Sequence, residues 1–147
     1  MELNELRKEL IRQHNEVRQL ADRVAATAER ARMNAAVLPD VLVLLESLHD
    51  ALQAHNAFEE GTLHDVLPGI DAWGPVRDRL MTQRHSEEHQ AILGAIQAAT
   101  GHDTVAHIAD GTAGVLRDIA NHMDREEKEF LAADVLCDDL ITSGVGG

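Results

Sequence analysis

The feature that most restricts what this chain can become is a set of histidines and carboxylates standing where leucines should stand. Four stretches repeat apolar residues at strides of three and four, the mark of an amphipathic helix with one inward stripe. In the first, from about Asn4 to Arg32, the stripe runs Leu3, Leu6, Leu10, His14, Val17, Ala21, Val24, Ala28. In the second it runs Val41, Leu45, Leu48, Leu52, His55, Glu59, Thr62, Val66. The third carries Met81, His85, His89, Ile92, Ile96 and Ala99, and the fourth Val105, Ile108, Thr112, Val115, Ile119, His122, Glu126 and Phe130. Thr62 and Thr112 apart, each stripe is apolar except at one place, where it carries imidazole alone or imidazole with carboxylate. Burying such groups costs several kcal/mol each, of order 2–7, unless something neutralises and bonds them. A metal ion does both.

The breaks between the stretches are short, which predicts an all-α fold: an antiparallel up-down-up-down four-helix bundle. Pro39 suits the first turn of the second helix. Leu67 to Pro75, with two prolines and two glycines, reads as a loop from which Trp73 plugs one end of the core. Asp103 is the expected N-cap of the fourth helix, and Gly111 with Gly114 are expected to split off its first turns. One domain over residues 1–142, followed by a flexible tail over 143–147, accounts for the length.

Depth along the bundle brings the polar positions of the first three helices to one level and permits His122 to join them. His14 lies about ten residues into the first helix and His55 about ten before the end of the second. At about 1.5 Å per residue both are roughly 15 Å from the same end, and His85 and His89 are comparably deep. His85 and His89, four apart, share one helix face, as do His55 and Glu59.

Composition narrows the function. The formal charge is −13, from 13 basic against 26 acidic residues, which speaks against nucleic acid or an anionic membrane surface as partner. No apolar run is long enough to span a membrane and no secretory signal is visible. The single cysteine, Cys137, excludes an internal disulfide, fits a reducing cytoplasmic compartment and reads as an inert thiol. It also leaves a thiolate-rich zinc site without its ligands. Five inward imidazoles with two carboxylates suit a pair of iron or manganese ions. The ExxH pairs of ferritin-like diiron bundles are absent at the expected places. His49, His64, His102 and His107 miss the stripes and read as surface residues, as do Glu60, Glu87 and Glu88. Leu48, Leu52, Ile92, Val115, Ile119 and Phe130 read as core, some of them also walling an apolar ligand pocket.

A lone His14, then H55-NAF-E59, then H85-SEE-H89, then His122 with Glu126 and Glu127, occur in that order. In this the chain resembles the hemerythrin-like, or HHE cation-binding, family over roughly residues 5 to 137. The resemblance implies two non-haem iron ions bridged by oxygen and two carboxylates. It implies His85, His89 and His122 on one iron, His14 and His55 on the other, and a vacant position for O₂ or another small ligand. Glu59 and one glutamate of the fourth helix would bridge. Periodicity favours Glu126, about 40° round the helix from His122 against about 140° for Glu127. Oxygen-binding hemerythrins have this carboxylate five residues on, which favours Glu127, and Glu127 is the expectation with Glu126 as its rival.

The function expected is therefore a diiron protein that carries, stores or senses O₂ or a related ligand. One alternative is a diiron enzyme consuming peroxide or oxidising a small substrate. Another is a non-catalytic bundle binding zinc or a protein partner. The inward face around the site reads as apolar or ligand, apart from the distant Thr62 and Thr112, and this favours binding over turnover.

Overall fold

A computed structural model describes residues 2–132 and 135. The expectations for Cys137 and for residues 143–147 lie outside the described residues. Helix α1 is Leu3–Met33 and α2 is Leu38–Val66, joined by a short 3₁₀ turn, Ala35–Val37. Helix α3, Gly74–Leu80, runs through a π turn, Met81–His85, directly into α4, Ser86–Thr100. Helix α5 is Val105–Glu129. The described residues hold no strand, and α3, the π turn and α4 together form the third rod of a four-helix bundle.

The rods form a square. α1 packs on α2 and α5, and α4 packs on α5 and α2. Because each connection is only a few residues long, sequential rods must run antiparallel. Pro39 lies in the first turn of α2, where its missing N–H has no helical partner to lose. Asn34 accepts from the amide of Ala36 at 3.1 Å and ends the α1–α2 connection.

Three details of the sequence reading change. Thr104, not Asp103, caps α5: it is extended, and its hydroxyl accepts from the amide of His107 at 3.1 Å. Gly111 and Gly114 do not divide α5, whose buried face of Ile108, Thr112, Val115 and Ile119 continues through them. Trp73 is 65% exposed and plugs nothing. The turn before α3 folds so tightly that a Cβ on Gly74 would sit 1.9 Å from the carbonyl oxygen of Leu67. That close approach requires glycine. Ile70 and Leu67, both buried, close the end of the core instead.

The apolar core comes in two parts. One, including Val24, Leu45, Leu48, Ile96, Val115 and Ile119, fills most of the bundle. The other, including Leu6, Leu10, Leu63, Leu67, Met81 and Phe130, fills the end nearest the α2–α3 connection. The polar residues of the stripes lie between them. Two one-step shifts accompany this layer: Leu63 and Leu93 are buried where Thr62 and Ile92 were expected and are half-buried.

Candidate metal centre

His14, His55, Glu59, His85, His89, His122 and Glu126 are each at most 5% exposed. Their positions along four rods follow from the stripes. What the sequence does not show is that they meet as two groups of four. His85, His89, His122 and Glu126 form one, with ligand atoms all within 4.8 Å of one another, and His14, His55, Glu59 and Glu126 form the other.

The two glutamates stand between the groups. Glu126 Oε1 lies 2.7 Å from His85 Nε2 and 3.0 Å from His89 Nε2, and it also faces His122 Nε2. Its other oxygen, Oε2, lies 3.0 Å from His14 Nε2 and 3.9 Å from His55 Nε2. Glu59 is arranged likewise. Its Oε2 is 3.2 Å from His55 and 3.5 Å from His14, while Oε1 is 3.6 Å from His89 and 3.7 Å from His85. Each carboxylate therefore turns one oxygen to each group.

Behind the rings stands a second layer, and it fixes which nitrogen points inward. His89 Nδ1 is 2.7 Å from Glu60, and His122 Nδ1 is 2.8 Å from Glu88, which in turn accepts two bonds from Arg125. His55 Nδ1 is 2.8 Å from the amide oxygen of Gln13, whose NH₂ donates to Glu9 at 3.0 Å and so orients the amide. His14 Nδ1 is 3.3 Å from Glu127, which Arg18 holds at 2.7 and 2.9 Å. Nδ1 donates in these four histidines, so the Nε2 lone pairs face the centre. His85 has no Nδ1 partner among the described residues, and its ring stacks on Phe130 at 4.9 Å.

That arrangement is short of positive charge. Nε2 of His14 and of His55 are 3.1 Å apart, each with its Nδ1 committed as donor. Neutral rings would oppose lone pair to lone pair, beside two carboxylates. Both Glu59 oxygens and His122 Nε2 also lack a hydrogen-bond partner. Buried polar atoms are rarely left so. In this form the protein compensates with protons. Burial alone would depress His14, but its hydrogen bond to Glu126 and the charge of Glu59 beside it outweigh that and raise its pKa to about 10. Burial opposes the same shift at His55 and His89, and the carboxylates again raise both. Glu126 is held well below the usual carboxylate range: burial pushes it up, and the surrounding imidazoles of His122, His14, His55 and His85 more than reverse this. Nitrogen and carboxylate donors, converging in two groups with unsatisfied atoms, fit a pair of divalent metal ions.

Glu127 takes no place in either group. Its carboxylate is 27% exposed and faces Arg18 and the outer nitrogen of His14, while Glu126 occupies the centre. Glu60 and Glu88, expected at the surface, and Gln13, which no stripe marks, each back a histidine of the centre. All three lie off the stripes, half-buried, and take their roles from a neighbouring rod. Nor is the surround wholly apolar. A cavity of about 40 Å³ reaches His85, His122 and Glu126 and is lined by Leu80, Arg84, Glu88, Arg125, Glu129 and Phe130. Of the apolar residues expected to wall a pocket, Phe130 alone lines this one. The flanks of the helices, invisible in a stripe, supply its charges.

His64, His102 and His107 are exposed and His49 is half-buried, all outside the two groups. No described helix is long and apolar enough to cross a membrane. The sequence pattern of the hemerythrin HHE cation binding domain matches residues 5–133. No curated protein and no solved structure matches the chain.

Proposed function

The chain belongs to the hemerythrin HHE cation-binding domain family, and from that premise we propose that it holds two iron ions and takes up O₂ or a related small ligand, as carrier, store or sensor. The observation that carries this reading is that Glu59 and Glu126 each turn one oxygen to each histidine group. Two carboxylates so placed suit a pair of ions better than a single one.

His85, His89 and His122 would hold one ion, and His14 and His55 the other, with Glu59 and Glu126 shared. Bound there, the pair would supply a redox-active centre with a position on the two-histidine side for a small ligand. The rest is done by the protein. Apolar side chains lie on both sides of the polar layer along the bundle. The Nδ1 acceptors hold the rings in one orientation. A cavity of about 40 Å³ lies against the three-histidine half, at His85, His122 and Glu126, with room for a few water-sized molecules at about 10–15 Å³ each.

One observation favours the peroxide-consuming alternative. Arg84, Glu88, Arg125 and Glu129 line that cavity beside His85 and His122, and groups able to hold or pass a proton close to such a centre promote turnover. A single experiment separates the readings. Protein produced in iron-rich medium is analysed for metal, reduced without air and exposed to O₂, and its visible spectrum is followed; peroxide is then added and consumption measured. Two irons per chain and a long-lived absorption band that disappears when O₂ is removed are expected. One tightly held zinc per chain overturns the diiron reading, and rapid, sustained peroxide consumption replaces the carrier with an enzyme.

A further inference from the structure

We propose that the two halves of this centre differ in strength in a fixed order: the His85–His89–His122 half retains its metal ion, the His14–His55 half releases its own first, and Gln13 is a residue that sets this weakness. The inference rests on the two-ion reading above and goes beyond it by dividing the pair into a retained and an exchangeable ion.

The difference lies in what stands behind the rings. A carboxylate accepting from Nδ1 draws the proton towards itself, makes Nε2 a better donor and adds negative charge near the cation. The three-histidine half has two such carboxylates at short range, Glu60 on His89 at 2.7 Å and Glu88 on His122 at 2.8 Å. Glu60 has no arginine or lysine partner among the described residues, so its charge is not shared with one. Arg125 shares Glu88, and His85 has no Nδ1 partner among the described residues, yet the two-histidine half has the weaker outer groups. It has one imidazole fewer. Its His14 is backed by Glu127 at 3.3 Å, a carboxylate already occupied by two shorter bonds from Arg18. Its His55 is backed by a neutral amide, Gln13 Oε1, at 2.8 Å.

Chance does not turn the Gln13 amide this way. Its NH₂ donates to Glu9, and Glu9 is held by Arg12, so the oxygen is left for His55. His55 therefore keeps its orientation but gains no negative charge. Gln13 is half-buried on the outer side of α1, so changing it leaves the packed layers untouched. Glu126 serves both halves, and Glu59, at 3.2 and 3.5 Å from His55 and His14 against 3.6 and 3.7 Å from His89 and His85, stands in the weaker half in place of a third imidazole.

The test loads the full chain with cobalt(II), challenges it with graded concentrations of a chelator, and counts ions per chain while following the visible absorption. The expected curve falls from two ions to a plateau at one before the last is removed. Outer partners of metal-ligating histidines contribute roughly 10–100-fold in affinity. Gln13→Leu should therefore bring the first loss to a roughly tenfold lower chelator concentration and leave the second loss in place. Glu60→Gln should advance the second loss and narrow the plateau. Circular dichroism confirms that both variants keep the helical content of the parent. Simultaneous loss of both ions from the parent, or a Gln13→Leu effect confined to the second loss, overturns the assignment while leaving two ions per chain intact. Saturation at a single ion overturns the two-ion reading itself and the assignment with it.

Discussion

At the scale of single residues, adjacent glutamates on α5 have unlike roles. Glu126 is 2% exposed and faces imidazoles from all four rods, whereas Glu127 lies a further 100° or so round the helix, between Arg18 and the outer edge of His14. Glu126→Gln should reduce retained metal below one ion per chain, while Glu127→Gln should keep at least one; metal analysis after gel filtration decides. Equal losses would make the two carboxylates equivalent. His14 adds a pH dependence. Burial works against its charge, yet the carboxylates of Glu126 and Glu59 raise its pKa from 6.5 to about 10. A raised histidine stabilises the fold fully below the unfolded value and loses that contribution as pH rises through the folded value. Metal-free protein should therefore show a lower urea midpoint at pH 9 than at pH 6. Metal must also displace this proton, so loading at neutral pH should release protons, measurable as a dependence of binding heat on the buffer. An unchanged binding heat across buffers of different ionisation enthalpy would contradict a protonated His14.

At the scale of elements, the third rod differs from the others. Its π turn, Met81–His85, ends on a histidine of the centre and holds both Met81 and His85 buried. Such a turn inserts one residue into an α-helix and is found mainly at functional sites. It rotates α3 about its axis relative to α4, so that Met81 closes the end core while His85 and His89 face the other rods. Deleting exposed Gln83 should restore a regular helix and misdirect one side of the turn by about 100°. Helicity by circular dichroism should persist while metal content falls. Full metal content after the deletion would mean that the π turn does not position His85.

At the scale of the whole molecule, seven polar side chains divide one hydrophobic core into two. A bundle with this layer needs its cations, because the energy of metal binding is added to that of folding. At a free metal concentration about a thousandfold above Kd the gain is about 4 kcal/mol. For a chain of this length that corresponds to roughly 10–15 °C in Tm. Thermal unfolding with and without chelator should differ by at least that much, and equal melting temperatures would mean that the layer is satisfied without metal.

The sequence by itself determined the four rods, their order, and that five imidazoles and Glu59 enter the core. These follow from the 3.6-residue period, and His14, His55, Glu59, His85, His89 and His122 interrupt apolar stripes in plain view. Stripes read at alternating strides drift by one position over several turns, so Thr62 and Ile92 were placed where Leu63 and Leu93 lie. Only the tertiary structure decided what depends on a second helix. The seating of Glu126 rather than Glu127 depends on how α5 is rolled against α1 and α4. The pairing of Gln13 with His55, of Glu60 with His89 and of Glu88 with His122 joins residues 29 to 42 positions apart. None of those partners lies on a stripe. A helical period records which face turns inward, and the groups that orient a buried imidazole from behind come from the flank of the adjacent helix, where the period carries no mark.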